Sequence, residues 1–219
     1  MKRMFDVLLS GLGILILCPF LLPMVCLLKF SGEREVFYVQ KRVGINGNLF
    51  GLLKFATMLK DSPNIGSGEI TVKNDPRVLP VGKFLRKTKI NELPQLWNIF
   101  VGQMSIVGPR PMVPKTFQSY PKRAQMILNT VRPGLTGIGS IIFRDEEKLL
   151  IGRKNAIDFY KNNISPYKSE LEIWYVENNS FWLYAKIIFV TAWVVILPSS
   201  KIADRVFTGI PELPEILKS

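Results

Sequence analysis

No histidine occurs among the 219 residues, and there are only two cysteines. The first absence excludes Ser-His-Asp triads, histidine general bases and histidine metal sites by inventory. Cys18 and Cys26 both fall in the first apolar stretch, too few for a structural zinc site and outside any disulfide framework, so they read as apolar packing residues. Acidic side chains are also scarce. Against 29 Lys and Arg there are 17 Asp and Glu, and the resulting formal charge of +12 points to a polyanionic partner: nucleic acid, an anionic lipid surface or a phosphorylated molecule. Carboxylate, Lys, Arg, Tyr and hydroxyl groups remain for chemistry. No internal repeat or low-complexity segment is evident. No alanine precedes Ala56, so the small-residue cleavage site of a signal peptide is missing.

What is present first is an apolar run, Val7 to Leu28, long enough to cross a bilayer core roughly 30 Å thick as a helix. Pro19 and Pro23 lie inside it, each lacking a backbone donor, which predicts a kink between Cys18 and Pro23. Positive charge flanks both ends, with Lys2 and Arg3 before and Lys29, Arg34, Lys41 and Arg42 after. That places both ends on the cytosolic side and favours a re-entrant hairpin over a span. Val36 to Met58 reads as strands and turns punctuated by Gly44, Gly47 and Gly51, and Asp61 to Asn74 as an exposed loop. Arg77 to Phe100 and Lys115 to Thr130 have helical character and are separated by the Gly108-Pro109-Arg110-Pro111 loop. Phe181 to Leu197 carries Lys186 and Thr191 and falls short of a comfortable span, so a helix packed on the body or lying at the interface is expected. No organisation is predicted beyond Pro198. The expected architecture is a mixed, helix-rich α/β cytosolic body on an N-terminal re-entrant membrane hairpin. Its divisions are a membrane element at 1–30, a body at 31–200 and a tail at 201–219.

Chemistry-bearing residues concentrate between Asp75 and Pro111. Asn91 is a good helix N-cap residue, Glu92 would complement the dipole in the first turn, and Pro94 is still tolerated there. The same residues admit a second interpretation. A helix N-terminus with free amides beside Arg77, Arg86, Lys87 and Lys89 is a phosphate site, and Glu92 could hold a divalent cation there. Magnesium usually takes one or two carboxylates plus substrate phosphate oxygens, which suits a nucleotide diphosphate.

Six motifs occur in order: Lys2-Arg3-Met4-Phe5-Asp6; Gln40-Lys41-Arg42-Val43-Gly44 with Gly47 and Lys54-Phe55-Ala56-Thr57-Met58; Asp75-Pro76-Arg77; Glu92-Leu93-Pro94-Gln95-Leu96; Gly108-Pro109-Arg110-Pro111; and Arg132-Pro133-Gly134-Leu135-Thr136-Gly137. Together they resemble the bacterial sugar transferase family, the monotopic phosphoglycosyl transferases, from residue 2 to about 140 and more weakly to about 197. The resemblance implies transfer of a sugar-1-phosphate from a nucleotide-diphosphate sugar to polyprenyl (undecaprenyl) phosphate, with release of nucleoside monophosphate, at the start of surface-glycan biosynthesis such as lipopolysaccharide or capsule. It implies Mg2+ at Glu92 and catalytic positions at Asn91 and Glu92. Lys54, Arg77, Arg86 and Arg110 are expected on substrate phosphate, and Cys18 and Pro19 at the membrane bend. The implied location is the cytosolic face of the bacterial inner membrane, among membrane lipid. A homo-oligomer and downstream glycosyltransferases are further partners it admits, and nucleic acid is not one: no such motif occurs, and charge alone would speak for it.

Three positions depart from the family pattern. A Ser-Pro pair at the bend reads Cys18-Pro19 here, and an aspartate often found before Lys-Ile is Tyr184, ahead of Ala185-Lys186-Ile187. Most consequentially, the nucleophilic aspartate of the family's Asp-Glu dyad is Asn91, and a neutral amide is a poor nucleophile. Three explanations stay open: another carboxylate attacks, Glu92 or one of Asp145, Glu146 and Glu147; transfer is direct; or the chain is inactive, by degeneration or by deliberate replacement of an aspartate. A catalytically impaired relative that binds nucleotide sugar or scaffolds partner enzymes is the alternative function.

Overall fold

The computed structural model of the chain describes residues 1–65, 75–144, 149, 155–197, 200 and 202–217. Asp145, Glu146 and Glu147, and residues 66–74 of the expected loop, lie outside the described residues. Helix α1 (Lys2–Lys29) leads into strands β1 (Phe37–Val43) and β2 (Leu49–Phe55). Then come α2 (Pro80–Lys87), α3 (Gln95–Phe100), β3 (Ser105–Val107), α4 (Pro114–Gln118), α5 (Lys122–Leu128), β4 (Gly134–Thr136) and α6 (Ile138–Ile142). Helices α7 (Ala156–Phe159), α8 (Ser165–Glu177), α9 (Phe181–Ile196) and α10 (Ile202–Val206) follow. The fold is mixed α/β and helix-rich, as expected.

At about 1.5 Å per residue the 28-residue α1 is longer than a bilayer core is thick. Its most apolar window has a mean hydropathy of 2.5 with 6% of its residues buried, so it meets the length and composition of a membrane helix. It continues through Pro19 and Pro23 as one helix. Cys18 and Cys26 are exposed on it. They belong to the helix's apolar outer surface.

The chain divides into two compact units, Met1–Asp6 with Lys41–Phe50 and Gln103–Ser219, and Val7–Gln40 with Gly51–Gly102. In the first, a core of Ile138, Ile164, Leu171, Tyr184, Ile187 and Val190 gathers side chains from α6, α8 and α9. Each large aliphatic group so buried contributes about 1.5–3 kcal/mol. Helix α9 thus packs on the body, as expected for Phe181 to Leu197. The tail does more than expected, because Phe207 and Leu217 are buried in the same core. Between α7 and α8, residues Tyr160–Ile164 form a π-turn closed by the Ser165 N–H on the Tyr160 carbonyl. Pro166 has no N–H to give the preceding turn, and the wider turn absorbs that missing bond.

Strands β3 and β4 pair in parallel, Ser105 beside Gly134 and Val107 beside Thr136. Asp6 reaches them from the start of α1. Its carboxylate accepts from Ser105 Oγ (2.8 Å), the Ile106 amide (2.9 Å) and the Tyr184 hydroxyl (2.8 Å).

In the second unit Leu28 of α1 packs with Phe55 and Leu85. The Gly82 backbone lies against the Thr57 carbonyl so closely that a Cβ there would sit 2.1 Å from the oxygen. Asn98 of α3 is buried and holds β2 from both sides of its amide, accepting from the Leu53 N–H (3.0 Å) and donating to the Gly51 carbonyl (2.8 Å). This anchors the segment between α2 and α3 to the strand that carries Lys54.

Candidate functional site

Lys54 projects from β2 and meets Glu92, Nζ to Oε1 3.4 Å, with the two side chains 19% and 23% exposed. The pair is part-buried, with both charged ends still within reach of solvent.

Glu92 closes a short 3₁₀ turn, Ile90–Glu92, entered through Lys89 in the left-handed region at φ 61°. Non-glycine residues adopt that conformation at a cost of about 1 kcal/mol or more. Here it turns the chain out of α2 and sets Asn91 and Glu92 on successive positions of the turn. Asn91 is not the cap of a helix, contrary to expectation. Helix α3 starts later, at Gln95 behind Pro94, with no side-chain cap. The free-amide phosphate cradle is also corrected. The N–H groups of Glu92, Leu93, Leu96 and Trp97 are bonded to the carbonyls of Lys89, Ile90, Leu93 and Pro94.

Asn91 is 7% exposed, and its buried Oδ1 has no hydrogen-bond partner among the described residues. A neutral amide there avoids the cost of burying an unpaired charge, and it offers an acceptor rather than a nucleophile. Arg77 is buried and braced: Nε and Nη2 donate to Asp75 Oδ1 (2.8 Å) and Oδ2 (2.6 Å), while Nη1 donates to the Ser62 (2.7 Å) and Ile65 (2.8 Å) carbonyls. The guanidinium thereby ties Ser62 and Ile65 to Asp75. Arg86 is partly exposed in the last turn of α2. One unit therefore contains Lys54, Arg77, Arg86, Asn91 and Glu92, and the ion pair joins Lys54 to Glu92.

Arg110 belongs to the other unit, where its side chain is exposed on the Gly108–Pro111 loop. That loop is fixed by backbone. Gly108 donates to the Thr136 carbonyl (2.9 Å) and Gly134 to the Pro109 carbonyl (2.8 Å). A Cβ on Gly134 would lie 2.1 Å from the Gly108 nitrogen, which explains why only glycine fits. Arg42 Nη1 donates to the Pro111 carbonyl (3.0 Å), giving the Gln40-to-Gly44 motif a part in holding the loop. A small, mostly apolar pocket with Val43, Met112, Phe117 and Leu128 in its walls opens beside Arg110.

Two functional candidates escaped the sequence. Asp6 stood in a motif but carried no assigned role. Glu172 of α8 is 3% exposed and accepts the Arg110 amide at 3.4 Å. Its signal was present: Lys168, Leu171, Glu172 and Tyr175 share one helical face at i, i+3, i+4 and i+7, so a carboxylate sits on the buried stripe. Tyr184 is an interior residue. Burial and its bond to Asp6 push its phenol up.

For magnesium the donor set is sparse. No cluster of three or more metal-ligating side chains occurs among the described residues. Glu92 is partly exposed and pairs with Lys54, and the unpartnered Asn91 oxygen lies in the same turn. This fits an ion that is bound chiefly through substrate phosphates and one carboxylate, and it does not fit an all-protein cage.

A family model described as bacterial sugar transferase matches residues 1–198. The chain belongs to that family. Among curated relatives, the exopolysaccharide production protein ExoY of Rhizobium meliloti is 40% identical over 159 residues, 66% of this chain and 70% of its own length. The UDP-glucose:undecaprenyl-phosphate glucose-1-phosphate transferase of Klebsiella pneumoniae is 34% identical over 87% of the chain. The undecaprenyl-phosphate galactose phosphotransferase of Salmonella typhimurium is 31% identical over 90%. The chain spans only 39% and 40% of the length of these last two family members. Their names carry different sugars, so family membership alone does not select one.

Proposed function

We propose that the protein transfers a sugar-1-phosphate from a nucleotide-diphosphate sugar to undecaprenyl phosphate at the cytosolic face of the bacterial inner membrane. The family match over residues 1–198 carries this. The apolar α1 supports a membrane site, and its Lys and Arg flanks favour re-entry over a span. In the reaction an acceptor phosphate oxygen forms a bond to the sugar-bearing phosphorus. The bond from that phosphorus to the bridging oxygen breaks, and the oxygen leaves with the nucleoside monophosphate. Asn91 offers no carboxylate to be phosphorylated, and direct transfer from donor to acceptor, which requires positioning and charge neutralisation above all, fits that amide. Lys54 and Arg86 supply positive charge to substrate phosphate in one unit, where Arg77 ties Ser62 and Ile65 to Asp75, and Arg110 is the phosphate-binding candidate of the other unit. Magnesium, for which Glu92 is the candidate protein ligand, would add neutralisation of the diphosphate.

A second function is favoured by Asn91 alone: a relative that binds nucleotide sugar without turnover. The deciding experiment incubates detergent-solubilised protein with undecaprenyl phosphate, magnesium and either UDP-glucose or UDP-galactose, within a wider panel, and follows nucleoside monophosphate release. Release by the present sequence is expected. Asn91→Asp should retain it and Glu92→Gln should lower it on the order of 100-fold. Nucleotide binding without release, with release created by Asn91→Asp, would establish the second function instead. Equal turnover in Glu92→Gln would remove Glu92 from the mechanism.

A further inference from the structure

Glu172 is a buried acid for which the proposed transfer has no use, and its surroundings are unusual. Its Oε1 lies where a Cβ on Gly139 would be 2.5 Å away, and its Oε2 is 3.8 Å from the corresponding position on Gly137. Gly137 in turn lies against Gly108, its Cβ position 2.3 Å from the Gly108 carbonyl oxygen. The carboxyl thus fills a socket floored by two glycines, and the amide it faces from there is that of Arg110, at 3.4 Å. The contact is longer than an ordinary hydrogen bond, so the packing carries as much of the restraint as the bond does.

The rest of the setting disfavours an acid. Oε2 is buried without a hydrogen-bond partner among the described residues. Burial pushes the acid up to about 7 even though the Arg110 amide, Lys168 and Arg110 oppose the shift. Lys168, one turn earlier, is itself buried and directed over the Phe143 and Tyr160 rings at 5.4 and 5.7 Å. A well-packed apolar residue at such a position is often neutral or stabilising. An under-satisfied acid is therefore poorly explained by stability.

We propose that Glu172 is a positioning residue for the transfer: its carboxyl, seated between the Gly137–Gly139 backbone and the Arg110 amide, sets the Gly108–Pro111 loop so that the exposed Arg110 guanidinium meets substrate phosphate. This rests on the phosphate-binding role given to Arg110 above. Glu172 does not touch the substrate and acts only through the loop.

The test measures affinity for inorganic pyrophosphate by calorimetry on the full, detergent-solubilised chain, with thermal unfolding recorded for every variant. Glu172→Leu keeps side-chain volume but removes the acceptor, and should weaken binding about tenfold without lowering the unfolding temperature. Glu172→Gln keeps an acceptor oxygen without the charge and should bind within about twofold of the parent. Arg110→Ala should weaken binding by itself, and adding Glu172→Leu to it should weaken binding no further, because the acid acts through Arg110. Undiminished binding in Glu172→Leu, alongside a loss in Arg110→Ala, overturns the positioning role alone. So does equal weakening by Gln and Leu, which would mean that charge acts in place of the acceptor. If Arg110→Ala binds like the parent, the phosphate-binding role of Arg110 falls and the positioning role falls with it. A Glu172→Leu chain that unfolds far below the parent also overturns the proposal, since the acid would then be structural.

Discussion

Asp6 and Glu172 are each 3% exposed in the same unit, yet their surroundings treat charge in opposite ways. Three donors from two segments converge on Asp6: a β3 hydroxyl, a β3 amide and the Tyr184 phenol of α9. Glu172 has one long contact to an amide and an oxygen left over. A buried carboxylate with converging donors is a fastening, because removing it strands every group that was aimed at it. One with few donors shifts towards its neutral form and is held against its own solvation preference. The Lys54–Glu92 pair belongs to neither kind, since it is only part-buried and each side chain faces an opposite charge.

The largest effect should come from breaking the satisfied acid. Asp6→Ala should destabilise the chain by about 3–5 kcal/mol, since the Ser105 hydroxyl, the Ile106 amide and the Tyr184 hydroxyl lose their acceptor together. Chemical denaturation of the detergent-solubilised protein would measure it, and a loss under 1 kcal/mol would erase the contrast between the two acids.

A second experiment sharpens the contrast through pH. The Glu172 carboxyl is raised from 4.5 to about 7, chiefly by burial. Its folded state therefore keeps a proton that the unfolded chain releases. Stability from this group is fully present below pH 4.5 and is lost as pH rises through about 7, a total of roughly 3 kcal/mol. The charges facing it are Lys168 on its own helix and Arg110 on the loop, with the Tyr175 phenol pushed up beside it. Helix α6 contributes no titratable side chain, and on α5 Lys122 and Arg123 are exposed, the latter on Glu177. Glu172→Gln should flatten the pH 4.5–7 slope of the unfolding free energy.

The smallest effect concerns a strain that belongs to neither acid. Lys89→Gly should stabilise the chain by up to about 1 kcal/mol, because glycine takes φ 61° without steric penalty. A drop in stability would show that the Lys89 side chain does more at the Asn91–Glu92 turn than its backbone suggests.

Periodicity found what depends on local pattern. The strands around Gly44 and Gly47, the helix at Phe181 and the non-regular Gly108–Pro111 segment all follow from turn residues and apolar spacing. Local rules failed at Asn91. Its residue type, with Glu92 next, has the form of a helix start, but Lys89 takes the left-handed conformation and the turn closes before the helix begins at Gln95. The tail was missed for a related reason, since Phe207 and Leu217 are isolated apolar residues whose burial depends on a core assembled elsewhere in the chain.

Sequence by itself determined the inventory: an absence of histidine, a strong excess of positive charge, a long apolar N-terminal helix and an amide at position 91 beside Glu92. Those properties belong to residue types and to spacing within a few turns of chain. Tertiary structure alone decided which charges have partners. Asp75 takes up Arg77, Glu92 faces Lys54, and Asp6 meets a hydroxyl 178 positions away while Glu172 is left under-satisfied. The free energy of a charge depends on how many donors reach it once water has been excluded. That number is set by segments that meet only in the folded chain.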